Sequence, residues 1–178
     1  MTDLLANTAD TRLGPSANGD AQLAHAWNAA AAVLDPEIPV LTIGDLGILR
    51  GVERRDGHIV VRITPTYTGC PATLAIRLAV EAALLDAGLP AARVETVLSP
   101  AWSTDDITAE GGRKLREFGI APPRRRGRDH DLFTQDTVAC PRCSSTQTTR
   151  ISEFGSTACK ALWRCEDCRE PFDYFKCL

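Results

Sequence analysis

Cys140-Pro141-Arg142-Cys143, then twenty-one residues, then Cys165-Glu166-Asp167-Cys168 divide this chain of 178 residues into two parts. Each CxxC pair places two thiolates on one side of a tight turn. Two such pairs complete the tetrahedral sulfur cage that a structural zinc prefers. Thr148, Thr149 and Ile151 follow the first pair and Leu162-Trp163-Arg164 precede the second, so the spacing predicts a zinc ribbon of two hairpins over residues 137–178. The same thiolates can hold iron or an iron–sulfur cluster, with zinc favoured by the interval. A closed four-sulfur site leaves no open position for chemistry. Trp163, Phe172, Tyr174 and Phe175 form either the ribbon's small core or a docking surface.

Upstream, Ala121 to Asp129 is rich in proline and arginine and reads as a linker, taken to residue 136. Residues 1–19 carry no periodicity and are expected to be disordered. Between these lies one domain, residues 20–120. Asp20 caps a helix running to about Leu34, with Leu23, Trp27, Ala30 and Leu34 on one face. Asp35-Pro36 ends it. Leu46 to Arg54 and His58 to Thr64 read as strands joined at Asp56-Gly57. A helix from Pro71 to about Asp86 shows Leu74, Leu78, Ala82 and Leu85 as its apolar stripe, with Arg77 and Glu81 paired beside it. A strand at Arg93 to Leu98 and a helix at Thr108 to Phe118 follow. The fold class is α+β, a small α-β-β-α-β-α layered domain followed by the ribbon.

Composition narrows the function classes. The net charge of −3 comprises ten basic and fifteen acidic side chains in residues 1–120, against ten and eight in the remainder. That balance does not suit a dedicated nucleic-acid binder. No apolar run approaches the roughly 18 residues that span a membrane, and the N-terminus has no secretory pattern. Seven cysteines, four in metal-type pairs, fit a reducing compartment, so a cytoplasmic protein is expected.

Cys70 lies in Thr64-Pro-Thr-Tyr-Thr-Gly-Cys-Pro71. With Pro71 opening a helix, Cys70 stands at the cap and faces the positive end of the helix dipole, with Gly69 leaving its sulfur unshielded. Such a sulfur is a nucleophile or a soft-metal ligand; the plainer alternative is a small core residue. Asp35, Glu37 and Asp45 sit in loops at element ends and provide either acid–base or metal-binding carboxylates, or simple caps. Cys159 and Cys177 fall outside the two pairs. Each either replaces a ribbon ligand, joins Cys70 in a second, labile site, or is an idle thiol. His25, His58 and His130 show no catalytic or metal spacing, and Arg124 to Arg128 reads as solvated linker.

Three motifs now align. Asp35-Pro-Glu-Ile-Pro39, Asp45-Leu-Gly47 and Thr66-Tyr-Thr-Gly-Cys-Pro71 resemble the signature of the SufT-like domain, which is associated with iron–sulfur protein maturation. The tail, Phe154-Gly-Ser-Thr-Ala-Cys-Lys-Ala-Leu-Trp-Arg-Cys165 with Glu170-Pro-Phe-Asp-Tyr-Phe-Lys176, narrows the resemblance to the PaaD family of bacterial phenylacetyl-CoA epoxidase (ring 1,2-epoxidase) systems. The resemblance implies an accessory protein of phenylacetate catabolism and not an enzyme. Its partners would be the other epoxidase components, especially the iron–sulfur flavin reductase, with no nucleic acid and no membrane. It implies Cys70 as carrier of transient iron or a cluster, in a pocket lined by Asp35, Glu37 and Asp45, and a homodimer if one thiolate is shared between protomers. A structural component that only stabilises the oxygenase is the alternative. Glu-x-x-His pairs on bundled helices, the C-x4-C-x2-C cluster pattern and a Gly-rich dinucleotide fingerprint are all absent from the sequence.

Overall fold

The computed structural model describes residues 20–123 and 138–176. The expected N-terminal disorder, most of the linker with its arginines and His130, and Cys177 lie outside the described residues. Helix α1, Ala21–Ala31, starts where Asp20 Oδ1 accepts the N–H groups of Gln22 and Leu23 at 2.9 and 3.3 Å. It buries Leu23, Ala26 and Ala30 and stops three residues before Leu34, which is 54% exposed and bridges to Thr42. The chain then forms a one-turn helix, α2, Ile43–Leu46, where the sequence predicts the start of a strand. A reciprocal cap between Thr42 and Asp45 starts it, and Gly47 at φ 68° ends it. A Cβ on Gly47 would collide with the carbonyl oxygen of Asp106, so this position admits no side chain.

Strands β1, Leu49–Arg55, and β2, His58–Ile63, pair antiparallel across Asp56 and Gly57, whose φ values of 50° and 78° define a two-residue hairpin turn. Helix α3, Ala72–Asp86, carries the chain back to β3, Arg93–Thr96, which pairs parallel with β2. The buried stripe of α3 is Ala72, Ile76, Val80 and Leu84. This corrects the expected one: Leu74, Leu78 and Leu85 are 58, 52 and 60% exposed. The helix has two apolar stripes, and the sheet and α1 cover only one. Arg77 and Glu81 do pair, at 3.8 Å. Past a 3-10 turn at Thr104–Asp106, α4 spans Ala109–Glu117 with Thr108 as its cap.

A second sheet has the order β4-β7-β6-β5, with β4 Ile120–Ala121, β5 Thr148–Ser152, β6 Lys160–Cys165 and β7 Pro171–Phe175. Strand β4 belongs to the N-terminal part of the chain yet pairs parallel with β7, Ile120 opposite Asp173 and Ala121 opposite Tyr174. The boundary expected at 121 therefore falls within a strand. Trp163 and Tyr174 meet edge to face at 6.0 Å inside the ribbon's own cluster with Val138, Ala161 and Phe172. Phe175 and Cys159 instead complete the core of the first domain, where Phe175 lies 6.2 Å from Trp102. These aromatics are buried, and none forms an open docking surface. No helix among the described residues is long and apolar enough to cross a membrane.

Candidate metal centres

The two CxxC turns approach each other between the strands of the second sheet. In each turn the residue after the second cysteine, Ser144 or Arg169, takes a left-handed φ, 62° and 65° respectively. The backbone N–H of Cys168 points at Cys165 Sγ, 3.5 Å away. Cys140 Sγ lies 3.7 Å from Cys168 Sγ, and Cys143 Sγ lies 3.5 Å from Cys165 Sγ, with all four sulfurs within 4.8 Å of one another. A tetrahedral zinc with bonds of about 2.3 Å requires sulfur–sulfur separations of about 3.8 Å. The quartet therefore fits a structural metal as it stands. Backbone N–H groups, that of Cys168 foremost, lower the Cys165 thiol to about 7, which favours the thiolate a metal needs.

A different set of groups meets where the ribbon touches the first domain. Gly69, at φ 93°, turns the chain so that Cys70 faces a cleft at the start of α3. The Cys70 N–H donates to the Tyr67 carbonyl and the Thr73 N–H to that of Cys70, both at 3.2 Å. The cleft, about 20 Å³, has room for one water-sized group. Cys70, Cys159, Glu37 and Asp35 line it, among apolar walls that include Ile63, Ile76 and Phe175. The Cys159 thiol points at Glu37 Oε2, 3.9 Å away, and rests against Thr157 Oγ1 at 3.0 Å.

The electrostatics bind these groups into one site. Burial pushes the Cys159 thiol up, and although the Thr157 hydroxyl opposes this, the nearby Glu37 carboxylate adds to it. Burial likewise raises Tyr67, with the negative charges of Cys70, Glu37 and Cys159 contributing. Asp35 is also raised by burial, against the N–H groups of Ile38 and Glu37 that its Oδ1 accepts at 2.7 and 2.9 Å, and against the charge of Lys160. Lys160 is itself buried, with Nζ 3.6 Å from Asp173 Oδ2.

Of the expected pocket residues, Cys70, Asp35 and Glu37 share the cleft, and Asp45 does not. Its Oδ2 accepts the Thr42 N–H at 2.9 Å and pairs with Lys114 Nζ at 2.7 Å, which places it in the α2 cap. Burial would raise Asp45, but the Lys114 hydrogen bond and those from Thr42 more than offset it and hold the carboxyl below 3.8. Its contribution to stability is therefore present above pH 3.8 and lost as pH falls through the native pKa. Asp45→Asn is expected to cost on the order of 1–2 kcal/mol at neutral pH. Melting curves of the variant and the wild type should converge in acid, and metal content should be unchanged; a loss of bound iron would restore Asp45 to the site. Sequence reasoning does not reach Tyr67 and Lys160. Tyr67 stands inside the Cys70 motif, whereas nothing local marks Lys160, and Cys159 lies 122 positions from Glu37.

Comparison with known proteins agrees with this two-part organisation. Residues 24–99 match the family model described as iron–sulfur cluster assembly protein, and residues 125–176 match that of the PaaD zinc beta ribbon domain. Among curated proteins, an Escherichia coli (strain K12) protein assigned as the PaaD component of 1,2-phenylacetyl-CoA epoxidase is 49% identical over 88% of this chain and 94% of its own length. A crystal structure of a domain of unknown function from Bacillus anthracis is 26% identical, covers 51% of this chain and 87% of that one, and gives a TM-score of 0.46. A solution structure of a Mycobacterium tuberculosis protein associated with Fe-S complex assembly and repair is 31% identical, covers 60% of this chain and 97% of that one, and gives 0.34. With an iron–sulfur assembly module and a four-cysteine ribbon in one chain, and 49% identity over most of its length, this protein belongs to the PaaD family of 1,2-phenylacetyl-CoA epoxidase components.

Proposed function

We propose that this protein is an accessory maturation factor of a multicomponent phenylacetyl-CoA epoxidase, assisting insertion of iron or an iron–sulfur cluster into a partner subunit, and that it does not itself catalyse the epoxidation. Cys70 is the sulfur that carries the cargo, and the partner is the iron–sulfur flavin reductase. The observation supporting this most directly is the separation of two kinds of sulfur. Four are gathered into a closed cage suited to permanent metal, while Cys70 lines a cleft beside Glu37 and Asp35. A thiolate with incomplete coordination around it can take up metal and give it away. The match to an iron–sulfur assembly module and the similarity to an epoxidase component support the same reading.

The test is Cys70→Ser in the full chain, reconstituted anaerobically with ferrous iron and sulfide. Wild type is expected to gain iron, and the variant at least tenfold less, with the metal of the ribbon quartet unchanged in both. In cells the partner reductase should then carry a depleted cluster. A variant that loads fully, alongside a fully loaded reductase, removes the role given to Cys70. A purely structural component is the second reading, and the exposed Leu74, Leu78 and Leu85 on α3 favour it as a surface for oxygenase subunits. That reading predicts a colourless protein after reconstitution.

A further inference from the structure

We infer that the cargo site holds a single ferrous ion between two thiolates and one carboxylate, Cys70 and Glu37 from the first domain and Cys159 from the ribbon. The inference rests on the carrier reading of Cys70 and names the ligands that complete it. Three observations support it. Cys159 is buried and lies outside the ribbon's sulfur quartet, so its sulfur serves no role there. It packs instead with the first domain's core, 3.9 Å from Glu37 Oε2 and on the same cleft as Cys70. Tyr67, beside Cys70, is under the electrostatic influence of Cys70, Glu37 and Cys159 together, which places all three within one small volume.

Size and charge then select the occupant. A cleft of about 20 Å³ admits one ion and excludes a multinuclear cluster. Two thiolates and a carboxylate form a mixed sulfur–oxygen set that iron and zinc both accept. On entry of the ferrous ion both thiols release their protons to solvent, forming two Fe–S bonds with no change in oxidation state. The ligands then carry three negative charges against two on the ion, and the buried Lys160 next to Cys159 offsets the remaining one. Among the described residues only the ribbon quartet is already drawn together tightly enough to hold an ion. The second site therefore closes on its ion, and Cys159 brings the ribbon with it. Three protein ligands leave one coordination position open, which is where a receiving protein's thiolate can enter.

The experiment uses the full chain with its quartet loaded, titrated anaerobically with ferrous iron alone, sulfide omitted. Wild type is expected to take one iron per chain. Cys159→Ser and Glu37→Gln should each weaken binding at least tenfold, and Cys70→Ser should abolish it. Cobalt(II) in place of iron gives an independent signature, because its near-ultraviolet sulfur-to-metal band should fall to about half in Cys159→Ser. Quartet metal content and circular dichroism verify that each variant is folded. If Cys159→Ser and Glu37→Gln bind as wild type does while Cys70→Ser fails, the two-domain site is overturned and the carrier reading stands. If Cys70→Ser also binds normally, or wild type takes no iron with or without sulfide, both are overturned.

Discussion

Cys165→Ser is expected to unfold the last third of the chain. The ribbon's buried cluster consists of Ala121, Val138, Ala161, Trp163, Phe172 and Tyr174, with Cys140 and Cys165 themselves. So small an apolar core cannot offset the conformational entropy of ordering its own backbone. The quartet's metal supplies the difference, on the order of 10 kcal/mol in small domains of this kind. Serine at 165 leaves three thiolates and an open side, and Cys165 is fully buried, so solvent cannot substitute without disrupting the strand pair. Limited proteolysis should cut the variant between residues 138 and 176 under conditions that spare wild type, and chelation of wild type should reproduce the pattern. Iron uptake at the cleft should fall as well, because Cys159 leaves with the ribbon. A variant as resistant as wild type would show that packing alone sustains the ribbon.

Phe175→Ala is expected to cost about 3–5 kcal/mol, the usual range for removing a buried phenylalanine. Phe175 is 1% exposed, stacks obliquely on Trp102 and lines the cleft, so the hole opens under Cys70 and Cys159. Trp102 is also fixed by its Nε1–H donated to the Leu46 carbonyl at 2.8 Å and cannot swing in to fill the space. The melting temperature should drop by several degrees, and iodoacetamide should reach Cys159 much faster than in wild type. Phe172→Ala removes an equal ring from the ribbon's own cluster. It should destabilise comparably without enlarging the cleft. Equal alkylation of Cys159 in the two variants would refute the placement of Phe175 as the plug between domains.

The elements that local chemistry dictates are legible in the sequence. Asp20 caps α1, Asp56-Gly57 closes the hairpin, and the two CxxC turns meet as their spacing demands. What escapes such reading is decided by tertiary choice. Periodicity reports that α3 is apolar on two sides, but only the sheet determines that Ile76 and Val80 go in and Leu74 and Leu78 stay out. Asp45 looks like a site residue because it sits at an element end, and it is the cap itself, drawn further by Lys114. Cys159 has no address in the sequence: no spacing rule connects a ribbon loop to a helix start in another domain.

Strand β4 bears on how this chain can be taken apart. Ile120 and Ala121 leave the first domain already hydrogen-bonded to β7, while Phe175 and Cys159 return to fill that domain's interior. Cutting the gene near codon 121 would therefore not yield two independent pieces. The front half would keep a raw notch and the back half would lose an edge. An artificial hybrid that grafts a foreign metal-bound tail onto this front half should misfold unless the graft restores the Cys159 and Phe175 positions, so the two modules must be inherited as one unit and not shuffled as cassettes.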